Sequence, residues 1–190
     1  MMIDLIDLAE SHLAVTYRWV SGPSVRDGLL VNRKISAEEH RAWFAKLAND
    51  SSQRVFAALA DGCHIGNFGY RNLLPGHGTG ELWMFIGPEF QGRRMGFPML
   101  NRGLEMGFGT LKLRKVLLNV DTANARALLL YARAGFRVEG LLHAEQIYQD
   151  RPVDLLRMAL MADAFVGLKR MLDVGRPETG PDEFPSDTSS

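Results

Sequence analysis

The chain has 190 residues, 46% hydrophobic and 23% charged, which are the proportions of an ordinary folded domain and exclude a disordered or fibrous chain for its bulk. Its 22 Lys and Arg balance 22 Asp and Glu and are scattered, which argues against a nucleic-acid or anionic-membrane partner and leaves small neutral or mixed-charge ligands. A single cysteine, Cys63, excludes an intramolecular disulfide framework and a cysteine-rich zinc site, and the 5 histidines show no ligand spacing, so no metal is expected.

The first residues, MMIDLIDLAESH, carry acids where an export signal needs lysines. No segment reaches the roughly 20 apolar residues of a membrane span, so the expected location is cytoplasmic. MIDLIDLAE reads as an opening strand, followed by a short helical stretch near HLAVTYRW and a break at Gly22-Pro23. Ser36 and Glu39 form a capping box that launches the helix HRAWFAKLAND. VFAALADG and CHIGNFGYRNL predict two strands joined by an Asp-Gly turn, and TGELWMFIG a third after the loop PGHGTG. The period then changes. GFPMLNRGLEMGFGTL has helical spacing, KVLLNVD reads as a short buried strand, and ARALLLYARAG as a helix closed by Gly135. The stretch to Met161 predicts two strands, and DAFVGLKRML a final helix. From Asp173 the sequence DVGRPETGPDEFPSDTSS predicts a disordered acidic, Pro-rich tail (173–190) after a domain of residues 1–172. This order of elements predicts an α/β chain with a mixed sheet carrying helices on its faces.

Two segments point to chemistry. In GPEFQGRRMGFPML, a strand runs through Gln91, Gly92, Arg93, Arg94, Met95 and Gly96 into a helix. A loop at a helix N-terminus presents unpaired amides and the positive end of the helix dipole, which suits a phosphate or pyrophosphate, and Arg93 and Arg94 add charge. The glycines fit neither GxxxxGK[ST] nor GxGxxG, so neither a nucleoside triphosphate nor a dinucleotide is expected there. In NARALLLYARAGF, Asn124 stands where a helix N-cap belongs, and Tyr131 falls two turns later on the same edge of an otherwise apolar helix. Read singly, Asn124 is a cap and Tyr131 a packed phenol with its hydroxyl toward water.

Together the two segments resemble the GNAT family of acyl-CoA-dependent N-acyltransferases. That family carries a [QR]xxGx[GA] pyrophosphate loop, here at Gln91 and Gly96 with Arg94 at the central glycine, and an NxxAxxxYxxxGF-like segment, here Asn124, Ala127, Tyr131, Gly135 and Phe136. The resemblance implies the GNAT fold, a mixed, mostly antiparallel sheet of about seven strands flanked by helices with a splayed central strand pair. It implies acetyl-CoA as cosubstrate and a small-molecule amine as acceptor. Backbone groups at Met84, Phe85 and Ile86 would pair with pantetheine like an added strand, and the amides from Gly92 to Phe97 would cup the pyrophosphate. Arg94 is accommodated if its backbone dihedral is ordinary, and Pro98 is tolerated in the first helical turn. Asn124 would hold the pantetheine arm, Tyr131 would protonate the leaving thiolate, and Glu81 would remove the amine's proton through water.

TYRWVSGPSVRDGLL followed by ISAEEHRAWFAKL resembles the N-acetyltransferases acting on UDP-linked 4-amino-4,6-dideoxy sugars in pseudaminic acid synthesis. By that resemblance Trp19 and Arg26 would offer an aromatic face and a cation to a nucleotide sugar. Trp43 and Phe44 read as core aromatics, His40 as satisfying a local hydrogen bond, and Glu38-Glu39-His40 as no metal site for want of a third ligand. Alternatives are a protein N-terminal (ribosomal-type) or aminoglycoside acetyltransferase, and a domain that binds acyl-CoA without turnover. Exposed edge strands make a homodimer plausible.

Overall fold

The computed structural model describes residues 2–74 and 76–174. Strand β4 (Thr79–Ile86), sequence TGELWMFI, carries large side chains on both faces, and the rest of the chain covers both. Leu82, Met84 and Ile86 face the main core with Phe68, Tyr70, Met99, Leu100 and Leu104, while Trp83 and Phe85 face the opposite side. That main core lies beneath α4 (Gly96–Glu105) and α5 (Ala125–Arg133). The opposite face is covered by α1 (Leu13–Ser21), α2 (Pro23–Gly28) and α3 (Ala37–Leu47), through Leu13, Trp19, Val25, Trp43 and Phe44.

The remaining strands are β1 (Ile3–Asp7), β2 (Arg54–Ala60), β3 (Cys63–Leu74), β5 (Lys115–Asp121), β6 (Arg137–Tyr148) and β7 (Arg151–Met161). All seven form one sheet in the order β1-β2-β3-β4-β5-β7-β6, and every pairing is antiparallel except β4 with β5. This is the expected α/β architecture. It includes the splay: β4 pairs with β5 only from Thr79↔Lys115 to Glu81↔Leu117, whereas β5 continues on β7 to Asp121↔Leu155 and β4 continues on β3 to Ile86↔Gly66. Beyond Glu81 the two strands part. At Gly66 a Cβ would stand 2.2 Å from the Phe85 carbonyl oxygen and 2.9 Å from the Ile86 Cα, so the missing side chain lets the end of β4 lie close on β3.

Several boundaries differ from the sequence reading for local reasons. The capping box is present, with Ser36 Oγ accepting from the Glu39 amide at 3.1 Å and Glu39 accepting from the Ser36 amide at 2.8 Å, but α3 stops at Leu47. Pro23 does not end the chain's helical course. It is the first residue of α2, where its fixed φ and missing N–H cost nothing. The predicted helix over 96–111 is α-helical to Glu105 and then forms a π-helical turn, Met106–Thr110, before the chain enters β5. A last helix, α6 (Ala162–Val174), carries the chain past the predicted boundary at 172, and the tail predicted from 173 lies outside the described residues from 175 onward. No helix among the described residues is long and apolar enough to cross a membrane.

Candidate active site

The parting of β4 from β5 opens a cleft of about 690 Å³, a size usual for small-molecule sites. Leu82, Met84 and Ile86 of β4, Gln91 of the following loop, Gly96 at the start of α4, and Leu130 and Tyr131 of α5 with its cap Asn124 line its α4–α5 half. Its other half is walled by α1–α3, by Trp83 and by Glu81. The β6–β7 hairpin reaches this half through Gln146, and its tip is tied to α2 and the loop after it: the Tyr148 hydroxyl donates to Asp27 Oδ1 at 2.5 Å and the Gln149 amide to Asn32 Oδ1 at 2.8 Å. On the side where β5 has departed, β4 offers backbone hydrogen-bonding groups to the cleft, an edge that an extended ligand can join as a strand.

The loop after β4 is braced from within. Gln91 Nε2 donates to the Ile86 carbonyl at 3.0 Å and Gln91 Oε1 accepts from Ser24 Oγ at 3.2 Å, so this side chain holds the end of β4 against α2. Gly92 turns at φ +78 and Arg94 at φ +59. The expectation of an ordinary backbone dihedral at Arg94 is therefore corrected. The chain keeps the left-handed turn a glycine would take, because this turn is what feeds Met95 into the first turn of α4, and an arginine bears the strain. The Arg93 guanidinium lies 5.6 Å from the centroid of Phe90, and that of Arg133 lies 4.7 Å from the centroid of Phe97, so cations flank the loop on both sides. Pro98 lacks an N–H, and the amides available to a phosphate come from the residues ahead of it. Two substitutions separate charge from strain at Arg94. Relative to Arg94→Ala, Arg94→Gly is expected to be more stable by about 1 kcal/mol in thermal or urea unfolding. Both are expected to weaken acetyl-CoA binding alike; equal stability of the two would remove the strain argument.

Asn124 caps α5 as expected, its Oδ1 accepting from the Ala127 amide at 3.1 Å. This use of the oxygen leaves Nδ2 as the group it can offer to the cleft. Tyr131 lines the same cleft two turns on, buried to 9% exposure and packed edge-on to Phe136 at 5.7 Å. Burial pushes its phenol up to about 12, since the phenolate loses more by leaving water than the neutral form does. The group is thus protonated throughout the working pH range. If Tyr131 is the acid, kcat should show no basic limb from its ionisation below about pH 11. An alkaline fall near pH 9–10 that disappears in Tyr131→Phe would contradict this.

Glu81 sits on the last rung before the strands part, with its side chain 12% exposed. Arg71 donates to its Oε1 at 2.5 and 3.1 Å, Asn72 to Oε2 at 3.0 Å, and Asn119 approaches Oε1 at 3.5 Å. Arg71, Asn72 and Asn119 had no signal in the sequence, because only the β3–β4 register and the parallel β4–β5 pair bring them to one carboxylate. Trp19 does not offer a face to a ligand. It is 2% exposed, its Nε1 donates to Glu89 Oε2 at 2.7 Å, and its ring meets those of Phe85 and Phe90 at 6.3 Å, making it the centre of the α1–β4 packing. Arg26 is not a cleft cation either: its Nε and Nη2 donate at 3.4 Å to the carbonyls of Val31 and Asn32 and fix the loop after α2. Phe44 packs in the core, whereas Trp43 packs there and also reaches the cleft wall. His40 does not satisfy a local hydrogen bond, since its Nε2 is buried without a partner. Among the described residues no three of His, Cys, Asp or Glu gather where a metal could be held.

The chain as a whole is similar to known proteins. The spermidine N(1)-acetyltransferase of Escherichia coli strain K12 is 28% identical over 123 residues, 65% of this chain and 66% of that protein. The chain thus spans just under two thirds of the length of that relative. The acetyltransferase PseH of Campylobacter jejuni is 24% identical over 132 residues, 70% of this chain and 81% of that protein. Among solved structures, that of spermidine N-acetyltransferase from Vibrio cholerae in complex with CoA and spermine superposes with a TM-score of 0.83 at 25% identity, covering 87% of this chain and 98% of that one. Residues 3–137, from the first strand to the start of β6, match the acetyltransferase (GNAT) domain, and the chain belongs to that family.

Proposed function

We propose that the protein is an acetyl-CoA-dependent N-acetyltransferase acting on a primary amine of a small molecule. The observation that carries this reading is the gap between β4 and β5 beyond Glu81 with Asn124 and Tyr131 on its wall. In the proposed reaction the backbone of Met84, Phe85 and Ile86 and the Asn124 carboxamide hold the pantetheine arm, and the amides from Gly92 to Phe97 with Arg93 and Arg94 hold the pyrophosphate. A backbone amide at the end of β4 takes the oxyanion formed when the amine's lone pair makes the C–N bond. As the C–S bond breaks, Tyr131 gives its proton to the thiolate, and Glu81 receives the proton shed by the nitrogen through a water. Its hold by Arg71, Asn72 and Asn119 keeps the Glu81 carboxylate oriented and rules out a wide swing toward the nitrogen.

For the acceptor, a polyamine is supported by the spermidine acetyltransferases among the relatives. An amino-sugar nucleotide is the second reading. Three carboxylates line the cleft: Glu39 and Glu81 are paired to Arg33 and Arg71, each at 2.5 Å, and Asp121 has no ion-pair partner among the described residues. The lining therefore offers a carboxylate to a polycation, and guanidiniums to a phosphate-bearing amine only where those pairs open. Release of CoA thiol from acetyl-CoA with spermidine, with a UDP-linked 4-amino-4,6-dideoxy sugar, with basic peptides and with aminoglycosides tests both. Release with one small amine is the expected result, and acetyl-CoA binding with no release from any of them would favour a binding domain instead.

A further inference from the structure

Ser21 Oγ and His40 Nε2 are the two buried side-chain polar atoms without a hydrogen-bond partner among the described residues. His40 is the more telling, because it also lines the half of the cleft walled by α1–α3. It stands in the first turn of α3, 5% exposed, with its ring 5.8 Å from that of Tyr17 on α1 and 5.3 Å from that of Trp43 one turn along α3. Aromatic packing accounts for a flat side chain at this position but not for an imidazole, since a phenyl ring would fill the space without burying a polar nitrogen. Burial lowers the histidine's pKa, so the ring is neutral at pH 7 and carries one nitrogen able to accept a hydrogen.

We propose that His40 is an acceptor-binding residue, its ring nitrogen taking a hydrogen bond from an N–H or O–H that the acceptor carries apart from the amine that is acetylated. This rests on the acetyltransferase reading above and narrows the substrate to amines with a second donor group, which excludes simple monoamines as good acceptors. Nε2 itself lies beneath the cleft wall, and a turn of the ring about χ2, a soft torsion in histidine, presents it to the ligand. The orphaned nitrogen is then a cost of the free protein that the ligand removes on binding.

The test compares wild type with His40→Phe, which keeps the ring stacking, and His40→Gln, which keeps a hydrogen-bonding group. Initial rates of thiol release are measured with spermidine, with a UDP-linked 4-amino-4,6-dideoxy sugar and with butylamine, at saturating acetyl-CoA. For whichever multifunctional acceptor the wild type uses, His40→Phe is expected to raise its KM about tenfold and His40→Gln less. The KM for acetyl-CoA, the kcat/KM for butylamine and the Tm should stay at wild-type values or, for Tm, rise. A merely structural histidine would instead shift all acceptors and the Tm together, and that result overturns the proposal, as does an unchanged acceptor KM in a folded His40→Phe. A wild-type protein that turns over none of the three, nor the basic peptides and aminoglycosides, overturns the acetyltransferase reading and this inference with it.

Discussion

Tyr131→Phe is expected to lower kcat about 10²- to 10³-fold while changing acetyl-CoA affinity by no more than about twofold. The substitution removes one oxygen. The ring keeps its edge-on contact with Phe136 and its place in the main core, so the helix that carries Asn124 is undisturbed. A phenol held near 12 is a weaker acid than an alkyl thiol of about 8.5, so Tyr131 first steadies the leaving thiolate with a hydrogen bond, and full transfer of its proton is uphill until water reprotonates the phenol. Water cannot easily substitute, because the ring is nine-tenths buried. Removing an exposed phenol would change little; removing a buried proton donor on the cleft wall leaves the thiolate to depart uncompensated. Equal turnover by a folded Tyr131→Phe protein would end the assignment, and a parallel loss of acetyl-CoA binding would make Tyr131 a binding residue instead.

What the sequence revealed and what it hid divide along a physical line. Features set by neighbours in the chain were legible: the capping box at Ser36, the cap at Asn124, the closure of α5 at Gly135 with φ +93, and the spacing that puts Asn124 and Tyr131 on one wall. β4 was legible as a strand as well, from the run TGELWMFIG. Features set by partners distant in the chain were not. The β6–β7 turn runs through Gln149 at φ +49 and Asp150 at φ +59, a conformation usually signalled by Asn-Gly or Asp-Gly, so no turn signal marks where the hairpin tip meets Asp27 and Asn32. Trp19 and Arg26 misled for a related reason. An indole and a guanidinium are common ligand-binding groups, but here Glu89, 70 residues on, takes the indole N–H, and the backbone carbonyls of Val31 and Asn32 take the guanidinium. Chemical type alone does not say whether a side chain's partner is the protein or a ligand.

The gap itself depends on a residue that carries no functional group. A sheet left to itself would zip β4 to β5 along their full length, since each unmade rung leaves backbone groups to water. The end of β4 instead follows β3, with Ile86 opposite Gly66 and the Gly87 amide donating to the Ile65 carbonyl at 2.8 Å. Gly66→Ala would set a methyl 2.2 Å from the Phe85 carbonyl oxygen, and backbone, unlike a flexible side chain, cannot step aside. Either the β3–β4 rungs around Phe85 and Ile86 break or the end of β4 is pushed toward β5 and narrows the cleft. We expect a loss of about 3 kcal/mol, read as a fall in Tm of about 6–12 °C, and a rise in the KM for acetyl-CoA of at least about tenfold. Gly140→Ala is the matched control, because a Cβ there meets nothing within 4 Å. If Gly66→Ala kept the Tm and the acetyl-CoA KM of Gly140→Ala, the splay would have to be held open by something other than the close approach of β4 to β3. If it lost stability yet kept its KM, the edge from Met84 to Ile86 would not be where the pantetheine arm binds.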